Sequence, residues 1–180
     1  MNLKKEPIAE KNKILETIET VILSTINKSG HPNASYAPVA VDKENNFFIY
    51  ISDLSKHTQN ILSNNNVSIM LIEDVSNSEN VFARKRLTLN VKASLIKRDT
   101  KLWNTKINLL EKRFPDAFQY LKNLIDFNLF QLSPKDALLV YGFGKAFKFL
   151  GQKLELSNHL NDKGHIIQSK NKERNENEKI

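Results

Sequence analysis

The chain contains no cysteine, which excludes disulfide staples, thiolate nucleophiles and cysteine-held zinc or iron–sulfur centres. No apolar run approaches the ~20 residues that a membrane-spanning helix needs. The opening MNLKKEPIAEKNK is basic but leads into no apolar stretch, so it does not read as a signal peptide. A soluble, cytoplasmic protein is the expectation. Familiar catalytic signatures are missing too. There is no P-loop, no G-x-G-x-x-G after a strand, no G-x-S-x-G elbow and no H-x-x-x-H or H-E-x-x-H pair. The net charge of +7 comes without any run of five basic residues and without aromatic–basic interleaving. Nucleic acid is therefore not an expected partner, whereas a small polyanion such as a phosphate or a propionate-bearing ring suits the charge.

What is present is an ordinary globular composition, 180 residues with 40% hydrophobic and 26% charged side chains. That is enough for one domain with a real core. Residues 1–19 read as a polar arm running into a short helix. Three strands follow near 20–27, 34–41 and 46–52, separated by the turn-forming KSGHPN and DKENN. SDLSKHTQNILSNN changes to helical spacing, with Leu54, His57, Ile61 and Leu62 on one face and Ser52 or Asp53 as cap. VSIMLIED returns to strand, and residues 75–82 form a polar loop. The longest alternating segment is ARKRLTLNVKASLIKRD, with Leu87, Leu89, Val91, Ala93 and Leu95 on one side, a length that suits a strand curling around a barrel. Trp103, Ile107, Leu110 and Phe114 mark a helix, and Pro115 starts another carrying Phe118, Leu121 and Leu124. FNLFQL and ALLVYGFGKAFKF read as the last two strands. The organisation is then an arm and helix over 1–19, a β-barrel domain over 20–156, a loop over 157–169 and a disordered tail over 170–180. The fold class is mainly β, an antiparallel barrel with flanking helices.

Few residues carry chemistry. Lys56 and His57 sit at a helix start just after a strand, where backbone amides and a lysine suit a phosphate; a core-edge histidine is the plainer reading of His57. Arg84 and Arg86 open the long strand on one face, as edge-protecting charges or as guanidinium forks for carboxylates. Asp126, between Ile125 and Phe127, is either a cap or a carboxylate that orients a histidine. His159 and His165 lie six residues apart with Asp162 between them, a weak metal-ligand spacing.

The segments SYAPVAV, FFIYISDLSKHTQNIL, VSIMLIED, FARKRLTLNVKASLIKRDTKLW, DFNLFQLSP and LVYGFGKAF resemble the haem-utilisation proteins of the HutZ/HugZ type. These are a branch of the flavin-binding split-barrel superfamily that contains pyridoxamine-5′-phosphate oxidase. The resemblance runs from about residue 20 to 168. It implies a homodimer of six-stranded split barrels with haem bound at the subunit interface and degraded oxidatively with an electron donor. It places the axial ligand to haem iron on His165, the acidic support of that ligand on Asp126, a further interface histidine on His57 and an arginine near the haem on Arg86. Arg84 and Lys56 are plausible propionate anchors. An FMN-binding oxidoreductase is the rival reading. The flavin branch uses a Ser-basic-basic turn where this chain has Ser55-Lys56-His57, and the strand before Lys43 has no arginine or lysine. A haem carrier without turnover is a third reading.

Overall fold

Strict alternation of inward and outward side chains builds most of this molecule. The computed structural model describes residues 5–160. Helix α1 (Lys5–Thr17) leads into strands β1 (Thr20–Ile26), β2 (Pro32–Pro38), β3 (Ala40–Val41) and β4 (Phe47–Ser52). Then come α2 (Lys56–Ser63), β5 (Asn66–Ile72), β6 (Arg86–Ile96), α3 (Lys101–Arg113), α4 (Pro115–Leu121), β7 (Phe127–Val140), β8 (Ala146–Leu150) and β9 (Glu155–His159). The strands form one antiparallel sheet in the order β2-β1-β5-β6-β7-β4-β3, with β8 paired to β7 and β9 to β8.

The inner face is aliphatic. Val21 and Leu23, Val67 to Leu71 at every second residue, Leu87 to Ala93 likewise, and Phe130 and Leu132 form one buried cluster. Each fully buried Leu, Ile or Phe contributes about 1.5–3 kcal/mol. Ile14 and Leu15 of α1 and Ile61 of α2 join this cluster. A second cluster lies on the opposite face, where Phe48, Tyr50, Ile96 and Leu129 pack under Trp103, Ile107 and Leu110 of α3 and Phe118 of α4. The helices α3 and α4 thus cover the outer face around β4 and the start of β7.

The fold is the expected mainly β, antiparallel split barrel with flanking helices. Among the described residues it has nine strands where six were expected, and several strand boundaries fall elsewhere for identifiable reasons. FNLFQL and the first part of ALLVYGFGKAFKF are one strand, β7. Pro134, between them, sits at a bulge: Asn90 pairs with Asp136 and Val91 with Pro134, leaving Lys135 as the extra residue. The real break falls at Tyr141–Lys145, where Gly144 takes φ +69°. Residues 157–159, expected as loop, belong to β9, paired with β8.

Some side chains also depart from the expected pattern. Leu95 is 51% exposed, and its neighbour Ile96 is buried instead, because α3 covers the other face at that end of β6. Leu54 is exposed and precedes α2, whose N-cap is Ser55 rather than Ser52 or Asp53. Leu124 lies beyond the end of α4 and is exposed. The polar loop after β5 holds two single-turn 3-10 helices, capped by the side chains of Asp74 and Asn80. The expected tail over 170–180 lies outside the described residues.

Candidate functional site

The strand ladder sorts the candidate residues into two groups. The first surrounds the end of β4. Ser52 Oγ donates to Asp126 Oδ2 at 3.1 Å, and the Asp53 amide donates to the Asp126 carbonyl at 2.7 Å. The Ser52 carbonyl in turn accepts from Thr58 Oγ1 at 2.6 Å and from the Ser55 amide at 3.1 Å. Ser52 therefore ties Asp126 to the first turn of α2, which carries Lys56 and His57. Lys56 is exposed. His57 Nδ1 lies 3.0 Å from Ser35 Oγ on β2, and its Nε2 is buried with no partner. Burial pushes the His57 pKa down from the ordinary imidazole value. Leu54 and Ile125, each 90% exposed, flank this group.

The second group opens β6. Arg86 belongs to the outward set because β6 itself alternates without interruption, and the bulge is on β7. Its Nη1 donates to the Arg84 carbonyl at 3.0 Å. Arg84 donates through Nη2 to the Glu73 carbonyl, and its Nε is buried without a partner. A cleft of about 1070 Å³ lies beside this group, between α1, the segment from Ile72 to Lys85, and Tyr141 to Lys145. Lys85 and Lys145 on its wall are paired with Glu10 and Glu6 of α1, which fastens the helix there.

Arg86 pairs with Val140 at one end of the β6–β7 ladder, and Ile96 with Leu129 near the other, where Asp126 precedes the strand. The two groups therefore stand at opposite ends of that ladder. The structure links Asp126 through Ser52 to the α2 turn that carries Lys56 and His57, and leaves Arg84 and Arg86 at the other end of the ladder. His165 lies outside the described residues. His159, expected in a loop, stacks on Phe147 with ring centroids 4.3 Å apart, and its Nε2 donates to the Gly144 carbonyl at 2.7 Å.

Sequence reasoning missed Ser35, Ser52 and Arg98. Arg98, in the turn after β6, donates to the carbonyls of Lys122, Leu124 and Phe127 and to the Tyr50 hydroxyl. Burial raises the Tyr50 pKa; the Asp126 carboxylate adds to that rise, and Arg98 opposes it. No sequence pattern marks an arginine whose partners are backbone carbonyls.

The antiparallel split barrel with flanking helices is the fold class of the pyridoxamine 5′-phosphate oxidase-like proteins. The family model described as pyridoxamine 5′-phosphate oxidase matches residues 8–141. Heme oxygenase HutZ of Vibrio cholerae serotype O1 is 41% identical over 147 residues, 82% of each chain. The crystal structure of HutZ, described as the heme storage protein from Vibrio cholerae, superposes with a TM-score of 0.70 at 35% identity, covering 81% of this chain and 96% of that one. Campylobacter jejuni ChuZ superposes with a TM-score of 0.78 at 29% identity, covering 91% and 67%. The chain belongs to the pyridoxamine 5′-phosphate oxidase family, in its HutZ-type branch. Among the described residues no helix is long and apolar enough to cross a membrane.

Proposed function

We propose that this protein is a homodimer that binds haem between its two copies and degrades it oxidatively, releasing iron, with His165 as axial ligand and electrons from an external donor. The separation of the candidate residues within one chain carries this reading. Arg86, Val140, Ala146 and Leu160 lie in one row across the sheet, the last joined by the Leu160 amide to the Ala146 carbonyl at 2.7 Å. His165 is five residues further on, a reach of at most ~18 Å. Asp126 lies beyond the far end of β7, about 43 Å away along the strand. That mismatch supports pairing of His165 with the Asp126 of a second copy.

The outer face of β2-β1-β5-β6-β7 supports the same dimer. One row across it reads Tyr36, Ile22, Met70, Thr88, Leu138, and the next reads Ala34, Ser24, Ser68, Asn90. The first row carries no charge from β2 to β7. The second meets its first charge at Asp136 of β7, whose carboxylate accepts from Asn90 Nδ2 at 2.9 Å. The buried cluster under α3 and α4 extends over neither row. Arg86 stands on this face. A second copy of the chain is the occupant that buries it and joins the two groups.

The residues present suit haem. Lys56 and Arg86 make no ion pair among the described residues, so both cations are free for propionates, and Arg86 offers a bidentate fork. The unpartnered His57 Nε2 and Arg84 Nε are polar atoms awaiting a partner. Bound haem supplies iron-centred oxygen chemistry. The chain holds it in register through Arg86 and Lys56. The Asp126 carboxylate would accept a hydrogen bond from the free ring N–H of the ligating histidine and so fix its tautomer. Ser52 holds that carboxylate in place.

Hemin titration of the wild type beside His165→Ala tests the reading. A histidine-type ferric spectrum that vanishes in the variant is expected, and unchanged binding refutes the ligand assignment. Haem-loaded protein given ascorbate and oxygen should lose its Soret band; a stable band leaves a carrier. A yellow purified protein that does not respond to hemin establishes the FMN reading instead.

A further inference from the structure

The turn that carries Asp126 is held from one side by a single guanidinium. Between the end of α4 and the start of β7 the chain runs through Lys122, Asn123, Leu124, Ile125 and Asp126, and Ile125 is exposed. Such a connection has little apolar burial of its own, so its conformation depends on where its backbone carbonyls find donors. Arg98 Nη1 donates to the Lys122 carbonyl at 3.1 Å, and Nη2 donates to the Phe127 carbonyl at 3.2 Å and also to the Leu124 carbonyl. The acceptors bracket Asp126 on both sides. Tyr50, whose hydroxyl accepts from Arg98 and lies 3.3 Å from the Leu124 carbonyl, closes the arrangement. The guanidinium sits 5.0 Å from the Trp103 ring and 5.9 Å from the Tyr50 ring, which fixes its plane. Among the described residues no carboxylate pairs with Arg98. Its charge is directed wholly at carbonyl oxygens and one hydroxyl.

We infer that Arg98 is the positioning residue for the Asp126 carboxylate, holding the 122–127 turn so that Asp126 meets the ligating histidine at a fixed angle. This role rests on the proposed function of Asp126. A lysine cannot reproduce it, because one ammonium does not span three carbonyls in a planar fork. Ser52 holds the carboxylate oxygen itself, whereas Arg98 holds the backbone beneath it.

The test uses the full chain with Arg98→Met, Arg98→Lys, Tyr50→Phe, Asp126→Asn and the double variant Arg98→Met/Asp126→Asn. Amide hydrogen exchange without haem reads the turn, and the ferric spectrum with added hemin reads the site. In Arg98→Met, exchange over 122–128 should speed up by about tenfold or more while β5 and the middle of β6 keep their protection. The hemin spectrum should shift in the direction seen for Asp126→Asn, and the double variant should shift no further. Arg98→Lys should fall between wild type and Arg98→Met, and Tyr50→Phe, which removes one partner only, serves if Arg98→Met does not fold. A wild-type hemin spectrum in the Arg98 variants beside a shifted Asp126→Asn overturns the role of Arg98 alone. A wild-type spectrum in Asp126→Asn overturns the reading of Asp126, and the role of Arg98 falls with it.

Discussion

Asp42 and Lys106 offer the sharpest test of how this barrel is held together. Lys106 of α3 places its Nζ 2.8 Å from Asp42 Oδ2, with the two side chains only 19% and 6% exposed respectively. Asp42 Oδ1 also accepts from the amides of Glu44 at 3.0 Å and Asn46 at 2.9 Å. Asn46 is buried, and its Oδ1 accepts from Gln131, Ser133 and Gln152. One carboxylate thus links α3, the β3–β4 turn, β7 and the turn after β8. Asp42→Ala removes the charge partner of a nearly buried ammonium and the one oxygen that accepts both turn amides. Removing one member of a buried pair costs about 3–5 kcal/mol. Lys106 can swing partly to water on its long stem, so the lower end, about 3 kcal/mol, applies. For a chain of this length that is about 6–12 °C in melting temperature. Asp42→Asn keeps the turn acceptor and loses only the charge, so about half the cost is expected. Asp42→Ala/Lys106→Met removes the stranded cation and should recover at least ~1 kcal/mol. Urea titration at pH 7 measures all three. A loss below about 1 kcal/mol for Asp42→Ala, or a double variant no better than the single, refutes the reasoning. Burial alone would raise the Asp42 pKa. The Lys106 contact and the Asn46 hydrogen bonds outweigh burial and hold it below the ordinary carboxylate value. Its stabilisation is therefore complete above the unfolded carboxylate pKa and is lost as pH falls through the lower folded value. The gap between wild type and Asp42→Ala should stay constant from pH 7 to about pH 5 and shrink only under stronger acid.

Further outcomes follow from the same contacts. His57 has its pKa depressed by burial, so the folded state resists the proton that the unfolded state takes up below about 6.5. Melting temperature should therefore fall as pH drops below that value, and His57→Gln should remove this component while leaving the pH 7.5 melt within a few degrees. Lys11 is buried over the Phe149 ring with its pKa lowered by desolvation and no ion pair among the described residues. Lys11→Met should melt at or above the wild-type temperature, and a loss of more than about 1 kcal/mol would show that the ammonium is needed there. Asn60→Ala strips the donor that reaches the fully buried Thr25 hydroxyl at 3.0 Å, a loss of about 1–3 kcal/mol by denaturant titration. Tyr36→Glu puts a carboxylate in the uncharged row Tyr36, Ile22, Met70, Thr88, Leu138 of the outer sheet face. Light scattering should show the proposed dimer shifting towards monomer, and an unchanged dimer mass places the interface elsewhere.

Much of the barrel was legible because its inner face is built by simple alternation. β1, β5 and β6 each bury every second residue, and their sequences say so. The failures have local physical causes. Pro134 is a strong strand-breaking signal, but a bulge opposite Asn90 and Val91 absorbs it, and a bulge leaves no mark in one strand's sequence. Which of Leu95 and Ile96 is buried depends on α3, whose docking is a tertiary fact. His159 looked like loop because its partners Phe147 and Gly144 are neighbours only after β8 turns back. At the candidate site, Lys56, His57 and Asp126 were recoverable from residue type and resemblance. Their joint through Ser52 was not, since a serine at a strand end is ordinary. Arg98 escaped for a similar reason, since the groups it grips are present in every residue.

The ladder between β4 and β7 has a consequence for how the chain comes to be folded. Phe47 pairs with Leu132 and Ser52 with Phe127, so these strands meet across 132 − 47 = 85 and 127 − 52 = 75 positions of sequence. β1 and β2 are joined across a short turn, and β5 and β6 across the loop between Ile72 and Arg86, so each pair can form soon after it is made. The β4 ladder must instead wait for a large loop to close, a step whose entropic cost comes before any contact rewards it. During synthesis Phe47, Ile49 and Ile51 emerge long before the strand that shields them, and α2, β5 and β6 are all made in the interval. An apolar strand with an open edge is thus a standing hazard for a nascent chain. The two-residue strand β3, paired with Phe47 and Phe48 across the polar Asp42–Asn46 turn, covers part of one edge, and the other edge stays open until residue 132 arrives.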